Sequence, residues 1–119
     1  MEPTFENLVI LLEGQREIYR DLVSMGKAKQ DELVRGSIEE LDAVTKREET
    51  LIFQAGRLEE ERYQCACRLM ELNGLNRNAP LREIIDFAPE AIREKLIELH
   101  RDMVEILTEL DKLNQQNMN

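Results

Sequence analysis

His100 is the one histidine of this chain, and the residue three positions before it is Ile97. Helix bundles that hold a carboxylate-bridged metal pair carry a glutamate at that offset from the imidazole, and here it is missing. Cys65 and Cys67 stand two apart. On a helix that spacing points the two thiols roughly 200° away from each other, so they cannot bridge locally. No further thiol or nearby imidazole completes a four-ligand zinc set. One cysteine is expected as a small core residue and the other as partly exposed; unbridged thiols fit a reducing cytoplasm. Glu59-Glu60-Glu61 is a run of carboxylates, which reads as a solvated helix face rather than an acid–base pair. The glycines at 14, 26, 36, 56 and 74 are scattered singly, so no loop cradles a phosphate. These residue types at these spacings serve no single reaction. The chain is read as not an enzyme, with no metal and no cofactor.

Composition narrows the class further. Hydrophobic residues make up 42% of the 119 positions but aromatics only 4%, so a core has to be built from Leu, Ile, Val and Met. Charged residues at 34%, with few Gly and Pro, describe a helical and heavily solvated chain of one domain. The formal net charge is −9, and residues 1–36, 37–74 and 75–119 are each net acidic. Phosphate-driven nucleic-acid binding has no support in such a distribution. A membrane span needs about 20 consecutive apolar residues; the longest run here is Leu8 to Leu12. The opening MEPTFEN lacks the basic-then-apolar layout of a secretory signal, which again points to the cytoplasm.

The elements follow from periodicity and punctuation. Pro3 suits a first helical turn, and an apolar seam runs Phe5, Leu8, Leu12, Gln15, Tyr19, Leu22, Gly26, Lys29, Leu33 at alternating spacings of three and four. Leu11, Ile18 and Met25 form a second seam beside it, so this helix is expected to face two neighbours. Gly36 is a left-handed stop, and Ser37 with Glu40 forms a capping box. A second helix therefore starts at once and continues to Asn73-Gly74. Its seam is Leu41, Val44, Glu48, Leu51, Ala55, Leu58, Arg62, Cys65, Leu69, Leu72, and its length is on the order of 55 Å. Asn76, Asn78 and Pro80 mark a loop. Leu81, Ile84, Ile85 and Phe87 then suit a one- or two-turn helix that plugs the end of the bundle. Pro89 opens a last rod whose seam is Ile92, Leu96, Leu99, Met103, Ile106, Leu110, Leu113, Asn117, widened by Val104 and Leu107.

The seven-residue repeat in each seam drives supercoiling, and the link at Gly36 forces the first two helices antiparallel. The fold expected is all-α, an elongated antiparallel bundle of three long helices with a short helix between the second and third. Gln15, Lys29, Glu48 and Arg62 interrupt the seams and are read as fixing register near water.

With these features placed, the sequence resembles the FlgN family of flagellar type III export chaperones over nearly its whole length. The resemblance is carried by residues 11–52, "LLEGQREIYRDLVSMGKAKQDELVRGSIEELDAVTKREETLI", a Leu-rich helix with a Tyr followed by the glycine corner and "T-x-x-E-E". "LEEERYQ" at 58–64, "PLREIID" at 80–86 and "LTELDKLNQQN" at 107–117 follow in the family's order. The resemblance implies a cytoplasmic chaperone that binds hook–filament junction proteins, keeps them soluble, prevents premature assembly and helps deliver them to the export apparatus. It also implies a further amphipathic, client-binding stretch after Asn114-x-x-Asn117, whereas the sequence stops at Met118-Asn119; the 119 residues read as one FlgN-like domain lacking that extension.

Apart from the family, a client helix with apolar anchors at i, i+3, i+4 and i+7 can lie along such a bundle as an added helix. The residues expected to receive it are Met103, Ile106, Leu107, Leu110, Leu113, Asn114 and Asn117 on the last rod. The rival reading is a structural coiled-coil homodimer or scaffold without an export client, and self-association through an unfilled groove is compatible with both.

Overall fold

The computed structural model describes residues 4–76, 78 and 80–118, with only the backbone for Met118. Helix α1 spans Phe5–Arg35, α2 Ile38–Leu72, α3 Leu81–Ile85 and α4 Glu90–Met118. Pro3, expected in the first turn, lies outside the described residues. Thr4 caps α1 instead, its hydroxyl accepting from the Asn7 amide at 3.0 Å. At the corner Gly36 takes φ 76°, and its N–H closes on the Glu32 carbonyl. Ser37 caps α2 through a bond from the Glu40 amide at 3.4 Å. Asn73 and Gly74 end α2, the glycine at φ 73°. The Pro89 carbonyl accepts the first bond of α4, from the Arg93 amide at 2.8 Å.

These rods pack into a body 54 Å long and about 24 Å across. α1 is the spine, with α2 along one side and α4 along another. Among the described residues no Cα of α2 comes within 8 Å of one in α4, so the two outer helices do not close on each other. Packed helices have axes 8–10 Å apart, with backbones closer still at the crossing. α1 therefore uses both its seams, as the doubled pattern required.

The main core lies at the α3 end, where Leu8 and Leu12 meet Cys65, Ala66, Leu69 and Met70 of α2, Ile84 and Ile85 of α3, and Leu96 and Leu99 of α4. Ile84 is fully buried and Ile85 nearly so, so the short helix does plug the bundle end. Phe87 departs from the expectation. α3 stops at Ile85, a turn bond from the Phe87 amide to the Ile84 carbonyl follows, and the ring is left 49% exposed. Both cysteines are buried, correcting the expectation that one is partly exposed. Cys67 leaves the α1-facing seam but is buried beside a recess that it shares with Asn78 and Leu81. Burial pushes the Cys65 thiol above its ordinary pKa. Toward the corner the covering is thinner: Leu33 is half exposed, and the first buried residue of α2 is Leu51.

Of the polar residues that interrupt the seams, Gln15 and Lys29 of α1 reach across to α2, while Arg62 pairs with Glu59 within α2. Lys29 of α1 meets Glu48 of α2 at 3.3 Å. Arg16 of α1 meets Asp102 of α4 at 2.9 Å with both side chains largely enclosed. Gln30 and Gln116 bond at 2.6 Å.

Candidate functional site

Because α2 and α4 stay apart, a cleft of about 300 Å³ opens between them above α1. Its floor is Leu12, Gln15 and Tyr19, successive turns of α1. One wall is Glu59 and Arg62 of α2; the other is His100, Met103 and Leu107 of α4; Leu81 of α3 closes one end. Apolar stripes continue both walls along the bundle. On α2, Ile52 and Tyr63 flank Glu59 on one face and are 59% and 51% exposed; on α4, Ile97, Val104 and Leu107 share a face and are 42–54% exposed. An isolated exposed apolar residue needs no explanation, but two stripes bordering one cleft do.

The floor carries a polar network. Gln15 is 1% exposed, and its Nε2 donates to Glu59 at 2.6 Å. A carboxylate only accepts, so this bond fixes which end of the amide is nitrogen. The Gln15 Oε1 is buried without a partner. Arg62 grips the same carboxylate through Nη2 and, at 3.3 Å, through Nε. Desolvation pushes the Glu59 carboxyl up, but the hydrogen bonds from Arg62 and Gln15 outweigh it and hold its pKa below the ordinary range. The Tyr19 phenol moves up, first through burial and then through the Glu59 charge, with Arg62 opposing. Among the described residues no three His, Cys, Asp or Glu side chains cluster to hold a metal. The arrangement suits binding an elongated apolar segment with polar atoms along one edge.

The seven α4 residues singled out from the sequence divide between two faces. Met103 and Leu107 border the cleft, Leu107 42% exposed and Met103 9%. Asn114, exposed, lies seven residues beyond Leu107 on the same face. Leu113 turns onto α1 at Gly26, where a methyl on that glycine would meet Leu113 Cδ1 at 3.4 Å. Asn117 donates Nδ2 to the Gly26 carbonyl at 3.1 Å. Ile106 and Leu110 are half-buried in the same seam. The sequence reading did not pick out Gln15, Tyr19, Glu59, Arg62 or His100 for binding. The usable signal was the pair of polar seam interruptions, Gln15 and Arg62, which mark where an apolar seam meets water.

Comparison with known families settles the class. The model of the FlgN protein family matches residues 1–119. The chain belongs to the FlgN family. FlgN proteins are flagellar export chaperones, so the chain is of a family that binds flagellar proteins and is not known for enzymatic activity. No curated protein and no solved structure matches it. Among the described residues no helix is long and apolar enough to cross a membrane.

Proposed function

We propose that this FlgN-family chain is a cytoplasmic chaperone that holds a terminal helix of a hook–filament junction protein in the cleft between α2 and α4. The helix adds itself as a fourth rod on the α1 floor, and residues 1–119 act as one unit in receiving it. The observation that carries this reading is the separation of α2 from α4, with facing apolar stripes and a cleft between them. An amphipathic helix docks such a groove through side chains at i, i+3, i+4 and i+7. Docking covers the apolar stripe the client would otherwise use for self-assembly. Ordering of the client offsets part of the gain, which keeps binding reversible for hand-over to the export apparatus.

On α4 the client meets Met103 and Leu107, with Asn114 extending the wall. Ile106, Leu110, Leu113 and Asn117 hold α4 against α1 so that the wall keeps its place. The test mixes the chain with terminal segments of hook–filament junction proteins and follows melting temperature and co-elution. A rise in melting temperature with co-elution supports the reading, and Leu107→Asp, at an exposed position, should abolish both while leaving the free chain folded. Absence of both effects with the unaltered chain overturns it.

A further inference from the structure

Three glycines lie inside the long helices, at 14, 26 and 56. Each weakens its helix relative to alanine, and for two of them the structure shows a neighbour packed where a side chain would stand. A Cβ on Gly14 would meet Leu58 of α2 at 3.2 Å, and one on Gly26 would meet Leu113 of α4 at 3.4 Å. Each receives a leucine side chain of the neighbouring helix in the space its own side chain would fill. A Cβ on Gly56 would meet nothing within 4 Å. The third glycine carries the same cost with no neighbour to accommodate.

Its surroundings are not those of an idle surface. Ile52, Phe53, Glu49, Glu60 and Tyr63 lie at offsets of −4, −3, −7, +4 and +7 from Gly56, all on its face of α2. Ile52, Phe53 and Tyr63 are 59%, 68% and 51% exposed. Among the described residues neither Glu49 nor Glu60 has a salt-bridge partner. Glu60 accepts only from Gln64 at 2.8 Å. No lysine or arginine occupies any of these offsets.

We infer that Gly56 is the crossing point of the docked helix on α2, and that this helix comes from a different protein and carries lysine or arginine along its α2-facing flank. The inference rests on the proposed client cleft and specifies the chemistry of its occupant. Gly56 leaves room for a side chain of the partner helix to seat on α2, as Gly14 seats Leu58 and Gly26 seats Leu113. Ile52, Phe53 and Tyr63 surround the crossing with apolar surface, and Glu49 and Glu60 select the charge of the flank. A second copy of this chain is disfavoured as occupant. Two such faces laid parallel would oppose Glu49 and Glu60 with the same residues, and laid antiparallel would set them against Tyr63 and Ile52, with no cation in either arrangement.

The experiment compares Gly56→Ala with the unaltered chain against three probes. One is a terminal segment of a hook–filament junction protein. The others are synthetic amphipathic peptides of about 21 residues, roughly 30 Å of helix, sharing a leucine seam but flanked by lysine in one and glutamate in the other. Melting temperature reads the free chain and fluorescence anisotropy reads binding. The free Gly56→Ala chain should melt about 4 °C higher, because alanine favours the helix and meets open space. The unaltered chain should bind the lysine-flanked peptide about tenfold more tightly than the glutamate-flanked one, with the preference shrinking as salt rises. Gly56→Ala should weaken the lysine-flanked peptide and the client segment by about tenfold or more, since a methyl intrudes on a close crossing.

A more stable variant that binds every probe as well as the parent overturns the inference and leaves the client reading standing. So does equal affinity for the two synthetic peptides. Loss of client binding by the unaltered chain, with the lysine-flanked peptide still bound and still sensitive to Gly56→Ala, overturns the junction-protein reading and supports the inferred crossing. Failure of the unaltered chain to bind any probe overturns both.

Discussion

Leu113→Ala tests whether α4 is held by α1 alone at its far end. Leu113 is 7% exposed and rests on the bare backbone at Gly26. Truncating a fully enclosed leucine typically costs ~2.7–5 kcal/mol, with the larger values where the surroundings cannot relax. Here no described Cα of α2 comes within 8 Å of one in α4, so solvent reaches the vacated space from the open side, and the loss should fall at the low end, ~2–3 kcal/mol. The core at the α3 end is far from this position and joins all four helices. The loss should therefore appear as local opening of the last turns of α4 rather than as uniform destabilisation. At about 1.4 kcal/mol per factor of ten, amide exchange in residues 106–117 should accelerate by roughly 30- to 150-fold. Exchange within 56–70 of α2 should stay within about threefold of the parent. Hydrogen exchange read by mass spectrometry on overlapping peptides gives both numbers at once. Equal acceleration in α2 and α4 would show one cooperative unit to the tip of α4. No acceleration would show that Leu113 does not carry the packing assigned to it.

Other positions give independent checks. Asp102→Ala leaves the enclosed Arg16 guanidinium without its 2.9 Å partner and should cost ~2 kcal/mol, lowering the urea midpoint by about 1 M with an unchanged slope. Glu59 has a folded pKa below its ordinary value, so its stabilising contribution is complete above the usual glutamate range (~4.3) and is lost as pH falls through the lower folded value. Melting curves should accordingly show the parent losing more stability than Glu59→Gln on acidification below about pH 4. Glu32 has the opposite sign. Burial and the Glu40 carboxyl across the corner raise its pKa, and Arg35 at 3.7 Å offsets this only in part. Its charge therefore opposes folding at neutral pH, and Glu32→Gln should melt higher than the parent at pH 7, with the gap closing as pH falls from the raised folded value to the ordinary glutamate range.

The residues that made the rods legible are those whose local physics is strong. Gly36 and Ser37 fixed the corner because a left-handed glycine and a hydroxyl cap act within four residues of chain. The last rod's seam, Ile92 through Asn117, was legible because period 3.5 admits one facing stripe. What the sequence hid was which seam meets which neighbour. Val23, buried, belonged to neither stripe read on the first helix, and Leu33, in the main stripe, stands half exposed beside a recess that it shares with Gln116 and Asn117 of α4. One thiol of the Cys65–Cys67 pair was expected to be partly exposed, yet both are buried, Cys67 beside a recess that Asn78 and Leu81 share. The cleft was foreshadowed only by excess: α1 has two seams, and α2 and α4 carry apolar residues beyond what one contact needs. Hydrophobic surplus on separate helices does not say whether those surfaces meet each other or stay apart; that depends on the width set by a third element.

That element is α3. It packs on both α2 and α4, and Ile84 and Ile85 fill the space between them at the bundle end. Without such a wedge, two apolar stripes flanking a common helix would tend to close and bury each other, giving a sealed three-helix bundle. With the wedge at one end and the Gln15–Glu59–Arg62 network midway along the floor, closure would have to strip water from a charged pair and still leave the Gln15 Oε1 unpaired. A wholly apolar floor would favour collapse or a permanent partner. A floor part apolar and part polar, with Gln15 bonded to the charged wall, stays open, and that open state is what the proposed client helix requires.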